Sequence, residues 1–222
     1  MSSNLDKAKQ DILWGCKMMV EKGYALGTAG NISARVEGED VVVITPTSVS
    51  YDTLSEDDLV VVDMEGNVIS GKYQPSCEVH MHLGIMVLRP EVNAVVHTHS
   101  KCATAVSSID EIDAVPVLDI ESMVYLGGEL EVAPFAPPGS MDLAMNIKNT
   151  IGTSAGVIMA NHGAIGVGIN MIDAMIASDN VERSCEMYLS VLSTGMSLRA
   201  LPEDYIENTR KRSLLRRKVV NE

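Results

Sequence analysis

Aromatic side chains are scarce in this chain, at 4% of residues, with one tryptophan and one phenylalanine. Its core must be filled by aliphatic residues and methionine. Hydrophobic residues at 46%, including 14 methionines, are enough for that, the flexible thioether acting as adaptable filler. Cysteine is also sparse. Cys16, Cys77, Cys102 and Cys185 lie far apart and form no CxxC pair, so neither a disulfide framework nor a cysteine-built zinc site is indicated. Basic residues are outnumbered, 17 against 30 acidic ones, for a formal net charge of -13. Such a surface argues against nucleic acid and anionic membranes as partners. The one basic run, Arg210, Lys211, Arg212, Arg216, Arg217 and Lys218, is expected to end a solvated helix, where cations suit the dipole. The longest nearly apolar stretch, residues 156–169, contains Asn161 and His162 and is too short to cross a bilayer. The first residues lack signal-peptide character, so a cytoplasmic protein is expected. Neither a GxGxxG after a strand nor a GxxxxGK[ST] occurs, and a dinucleotide or P-loop site has no support.

A length of 222 residues suits a single domain spanning 1–222. Leu5, Ala8, Ile12, Leu13, Cys16, Met19 and Val20 fall at helical spacing and predict a helix over residues 4–22, ended by Gly23. Strands are predicted at 32–36 and 40–45, a capping-box opening at Ser55, and a hairpin formed by 60–63 and 67–70. A helix over 78–88 follows, with Ser76 placed to cap it. Further strands are predicted at 94–97, 115–118, 130–133, 156–160 and 164–167. Further helices are predicted through about residue 107, at 140–152, at 171–192 and near 202–218. Strands alternate with helices but hairpins also occur, which makes the fold class α/β with a mixed sheet.

The most informative stretch is Val95-Val96-His97-Thr98-His99. Alternate side chains on a strand share a face, so His97 and His99 point the same way and can chelate one ion. His162, in Asn161-His162-Gly163, sits at a strand break inside an apolar segment, where a buried imidazole needs a partner. Three imidazoles with an open fourth position form a catalytic zinc site, not a closed structural one. Imidazole also suits manganese or cobalt, so the ion stays open. Glu78 and His82 are four apart and share a helix face, while His80 points elsewhere. Glu78 either serves the helix dipole or acts as a general base near the metal, and the second reading is preferred here. His82 reads as a structural hydrogen-bonding histidine and His80 as a surface one. Three loops rich in small hydrogen-bonding residues, Thr28 to Asn31, Pro46 to Ser48 and Pro75 to Cys77, would suit a phosphate dianion.

Five ordered motifs carry a family resemblance over about residues 5–195: Gly27-Thr28-Ala29-Gly30-Asn31-Ile32-Ser33, Ile44-Thr45-Pro46-Thr47-Ser48, Pro75-Ser76-Cys77-Glu78 with His82, Val95-Val96-His97-Thr98-His99, and Asn161-His162-Gly163. The chain resembles the class II aldolase/adducin family. The resemblance implies a three-layer α/β/α fold around a mixed, largely antiparallel central sheet. It implies a homotetramer with sites at subunit interfaces and one Zn2+ per subunit on His97, His99 and His162. It makes Glu78 the catalytic acid/base, and Thr28, Asn31, Thr47, Ser48, Ser76 and Cys77 the phosphate-binding positions. The implied reaction cleaves a ketose 1-phosphate to dihydroxyacetone phosphate and an aldehyde. A sugar-phosphate 4-epimerase, a decarboxylase or an adducin-like scaffold are the alternatives. Ser48 stands where the aldolases' motif has glycine, and Cys77 where it has a second serine. Tyr125, Tyr205, Asp119 and Glu121 are candidates for an assisting group.

Overall fold

The computed structural model describes residues 3–219, with side chains to residue 211. The first helix, α1 (Asn4–Glu21), forms where the 3.6-residue period predicts it, and buries Ala8, Ile12, Cys16 and Met19 on one stripe. Ser3 opens it with a reciprocal cap: its hydroxyl accepts from the Asp6 amide at 3.1 Å, and the Asp6 carboxylate accepts from the Ser3 amide at 3.0 Å. Strands β1 (Asn31–Arg35), β2 (Val41–Ile44), β3 (Val60–Asp63) and β4 (Val68–Ser70) follow as an antiparallel meander. The capping box at Ser55 opens only a single 3-10 turn, Glu56–Asp58. Then come α2 (Val79–Leu88), β5 (Ala94–Thr98), α3 (Lys101–Val106), β6 (Ala114–Val115), α4 (Ile120–Leu126), β7 (Leu130–Ala133), α5 (Met141–Thr150), β8 (Gly156–Met159), β9 (Gly163–Gly168), α6 (Met171–Leu192) and α7 (Glu203–Val219).

The strands form one sheet in the order β4-β3-β2-β1-β5-β9-β8-β7-β6. Only β7 and β8 run parallel, so the sheet is mixed and largely antiparallel, as expected. Period-2 alternation divides the core. Ile32, Ala34, Val43, Val61, Ala94 and Val96 pack with α1 and the start of α6 on one face. Val42, Ile44, Val60, Val62, Val95, Ile165 and Val167 pack with α2 and α5 on the other. This is the α/β/α layering. No helix among the described residues is long and apolar enough to cross a membrane.

Three expectations are corrected. The strand predicted at 115–118 stops at Val115, because Pro116 has no N–H to give the ladder. Helix α4 was not anticipated, although its ends are marked: the Asp119 carboxylate caps it by accepting from the Ser122 amide at 2.9 Å, and Gly127 closes it at φ 83°. Helix α2 begins at Val79 with Glu78 in the cap position, so Ser76 does not cap it. Most of the basic run falls outside the described side chains; within them, Arg210 donates to the Gly127 carbonyl and Lys211 pairs with Glu207.

Long α6 lies directly on β9, and glycine allows it. A Cβ on Gly166 would stand 2.3 Å from Ser178 Oγ and 2.8 Å from the Ala174 carbonyl oxygen. Gly166→Ala must push the helix off the sheet. We expect it to cost about 1–3 kcal/mol of stability, as overpacked cores do. A melting temperature equal to that of the unmodified protein would contradict this packing.

Candidate metal centre

His97 is the rigid corner of the site. It sits near the end of β5, with Asn31 of β1 opposite on one side and Ile165 of β9 on the other. It is fully buried, and its Nδ1 lies 3.0 Å from the Ala164 carbonyl. A carbonyl only accepts, so Nδ1 carries the proton and Nε2 presents a bare lone pair. Burial pushes the His97 pKa down to about 4, which leaves the ring neutral at pH 7.

His99 lies one residue past the strand, held by its amide, which donates to the Tyr24 carbonyl at 2.8 Å. Burial lowers its pKa too. His162 arrives from the turn between β8 and β9. The turn places Asn161 at φ 56°, a left-handed conformation that asparagine tolerates, and the Asn161 amide donates to the Ser107 carbonyl at 2.8 Å. Gly163 then passes so close to β5 that a Cβ would meet the Thr98 carbonyl oxygen at 2.2 Å. The Asn-His-Gly order is thus a backbone requirement as well as a source of a ligand.

The three rings close into a triangle, with centroids 4.7, 4.9 and 5.0 Å apart. Nε2 of His97 and Nε2 of His99 are 3.0 Å apart, and one ligand atom from each of the three histidines lies within 4.8 Å of the others. Among the described residues, this is the cluster that could hold a metal ion. Tetrahedral zinc spaces nitrogen ligands roughly 3.3 Å apart, given Zn–N bonds of about 2.0–2.1 Å. Neutral imidazoles with a protonated nitrogen turned to a backbone carbonyl are what metal ligation needs. One more atom fits a cation: Glu78 Oε1 is buried without a hydrogen-bond partner.

Glu78 lies against this triangle at 4% exposure. Its Oε2 is 3.3 Å from His97 Nε2 and its Oε1 3.6 Å from His162 Nε2. Burial would raise its pKa, but the neighbouring imidazoles, His97 foremost with His162 and His82, together with the hydrogen bond from the Asn31 amide, hold the carboxyl below its usual range. Asn31 Nδ2 donates to Oε2 at 2.8 Å. Behind Asn31 lies His82, fully buried and kept neutral by that burial, with its pKa near 3. The sequence presents Glu78 and His82 on one helix face, and both do turn toward β1. His80 is exposed. Asn31 and Ser33 were not read as partners of these residues. Their signal was available: Asn31, Ser33 and Arg35 alternate with Ile32, Ala34 and Val36, a polar row in a central strand that must find buried partners.

The loops named for phosphate gather at the same end of β1, β2 and α2. Pro46 and Pro75 form an isolated antiparallel bridge, the Thr47 amide donates to the Gln74 carbonyl at 3.1 Å, and the Ser76 amide donates to the Thr45 carbonyl at 3.0 Å. Tyr51 closes the group with a hydroxyl donated to the Gly30 carbonyl at 2.5 Å. Thr28, Thr47, Ser48 and Cys77 are exposed, whereas Asn31 and Ser76 are buried. The Asn31 side chain is engaged by Glu78 and His82, and the Ser76 hydroxyl accepts from the Glu78 amide at 3.3 Å. Ser48 adopts φ 57°, the conformation that glycine takes most easily. Asp119 is occupied by the α4 cap and by an ion pair with Arg183. No hydrogen bond or ion pair among the described residues ties Glu121, Tyr125 or Tyr205 to the cluster.

Comparison with known proteins agrees with this geometry. The Class II Aldolase and Adducin N-terminal domain matches residues 10–189. L-fuculose phosphate aldolase of Haemophilus influenzae is 34% identical over 206 residues, which is 92% of each chain. The 3-oxo-tetronate 4-phosphate decarboxylase of the same organism is 32% identical over 194 residues, 86% of this chain and 90% of the relative. The 5-deoxy-D-ribulose 1-phosphate aldolase of Bacillus thuringiensis is 32% identical over 209 residues, 94% of this chain and 96% of that one. A solved L-fuculose 1-phosphate aldolase superposes with a TM-score of 0.87 at 28% identity, covering 96% of this chain and 97% of its own. The chain belongs to the class II aldolase and adducin family and stands with its metal-dependent carbon–carbon lyases.

Proposed function

We propose that this protein is a zinc-dependent aldolase that cleaves a ketose 1-phosphate, of the L-fuculose 1-phosphate kind, to dihydroxyacetone phosphate and an aldehyde. The observation that carries this reading is the triangle of imidazoles beside a half-tied carboxylate. His97, His99 and His162 would hold the ion. When bound, it supplies a Lewis acid that polarises the substrate carbonyl and offsets the negative charge that cleavage sends there.

The residues divide the rest of the work. Cleavage breaks the bond between the carbon next to the carbonyl and the carbon that becomes the aldehyde. The hydroxyl on the departing carbon gives up its proton, and the carbon left behind must gain one. Glu78 is the group proposed to deliver that proton: ionised at rest, it first takes up one proton, which balances the one the departing hydroxyl releases, and hands it to the carbon left behind. Its Oε2 is fixed by Asn31, while its Oε1 is buried and unpartnered, so that oxygen is available to the reacting carbon. The loops bearing Thr28, Thr47, Ser48, Ser76 and Cys77, with Asn31 at their base, are proposed to take the phosphate and so fix the distance of the reacting carbons from Glu78. The active form is proposed to be a homotetramer, with a tyrosine of the neighbouring subunit serving the departing hydroxyl.

A second reading has a specific observation behind it, the similarity to the 3-oxo-tetronate 4-phosphate decarboxylase. Loss of carbon dioxide also leaves an electron pair next to a carbonyl, so the same residues would serve it. Product analysis separates the two. Aldehyde and dihydroxyacetone phosphate from ketose 1-phosphates support the aldolase, whereas carbon dioxide from phosphorylated keto acids, without aldehyde, supports the decarboxylase.

Two predictions follow from the site. Chelation should abolish turnover and added Zn2+ restore it, and His162→Ala should bind less than a stoichiometric ion by elemental analysis. Full activity in metal-free protein would remove the metal from the account. Glu78→Gln keeps the shape but loses the carboxyl that takes up and passes on a proton. It should retain the ion and lower kcat on the order of a hundred- to ten-thousand-fold. Wild-type turnover in that variant would overturn the assignment of Glu78.

A further inference from the structure

Ser33 and His82 are both fully buried, and neither is hydrogen-bonded to the three imidazoles of the cluster. Their hydrogen bonds have only one consistent direction, and it is set by Glu78. An ionised carboxylate accepts and cannot donate, so the Asn31 amide must turn its NH2 group to Oε2. This leaves Asn31 Oδ1, a pure acceptor, 2.5 Å from His82 Nε2. His82 must therefore carry its proton on Nε2. Its Nδ1 is then a bare lone pair, and the Ser33 hydroxyl, 2.7 Å away, donates into it. A flipped amide would set oxygen against carboxylate and, against the Nε2–H tautomer, nitrogen against an N–H, losing both bonds.

We propose that His82, backed by Ser33, is a positioning residue: it locks the Asn31 amide in one orientation and so keeps Glu78 with Oε2 tied and Oε1 free. The relay starts at the hydroxyl of Ser33 and ends at the carboxylate, and no member can reverse without breaking its neighbour. The kinetic consequence rests on the reading of Glu78 as the proton-transfer group, but the orientation does not.

The two are tested separately. In unmodified protein with 15N-labelled histidine, the His82 ring should show the Nε2–H tautomer, with and without bound Zn2+. An Nδ1–H tautomer would overturn the proposal whatever the protein catalyses. Kinetics then test the coupling. His82→Leu should lower kcat roughly 10–100-fold, the range for groups behind a metal site, with metal content unchanged. His82→Gln, whose amide can still donate to Oδ1, should recover most of the loss. The double variant with Asn31→Ala should be no slower than Asn31→Ala alone, because His82 acts through Asn31. Multiplying losses, or no recovery in the glutamine variant, would overturn the positioning role. If Glu78→Gln keeps full turnover, the reading of Glu78 falls instead, and the tautomer still decides the orientation.

Discussion

Because β5 is hydrogen-bonded on both sides, to β1 and to β9, His97 is fixed opposite Asn31 and Ile165 with no freedom to slip. A shift of one residue would turn His97 to the α1 face and bring apolar Val96 to α2. The rest of the site depends on this register. Asn31 meets Glu78 because its strand is paired to that of His97. His162 reaches the triangle because β9 is paired on the other side and Gly163 lets the turn pass under Thr98. Helix α2 and its cap position add the remaining polar groups from the same side of the sheet, and α6 holds β9 from behind.

The electrostatics follow from burial. Imidazoles removed from water lose their charge, which leaves lone pairs free for a cation. A carboxylate in the same place is costly unless partnered. Here Asn31 satisfies one oxygen and leaves the other beside His162. A cation among the rings would offset that charge further. The same arrangement keeps a proton-transfer group in place and one of its oxygens uncommitted, which links the stability of the site to its chemistry.

Much of this was legible in the sequence. The His-x-His spacing, the Asn-His-Gly break and the four-residue spacing of Glu78 and His82 each have a local geometric meaning, and the structure brings those side chains together although His99 lies one residue past β5 and Glu78 occupies the cap position of α2. The fold class was legible from alternating periods of two and 3.6 residues. What was not legible depended on register. Nothing within residues 31–35 says that Asn31 will stand opposite His97, so its link to Glu78 and His82 appears only when the strands pair. Helix α4 is short, and its two end signals, Asp119 and Gly127, enclose too few residues for a period to emerge. The left-handed Ser48 is likewise invisible from its residue type, since serine seldom takes that conformation.

The central claim is that three imidazoles far apart in the chain share one divalent ion beside Glu78. A crystal structure of the zinc-loaded protein, with anomalous data collected at the zinc edge, tests it directly. The account predicts an anomalous peak about 2.0–2.1 Å from Nε2 of His97, His99 and His162, the usual zinc–imidazole distance. A peak elsewhere, or zinc bound with one of those rings turned away, would contradict it.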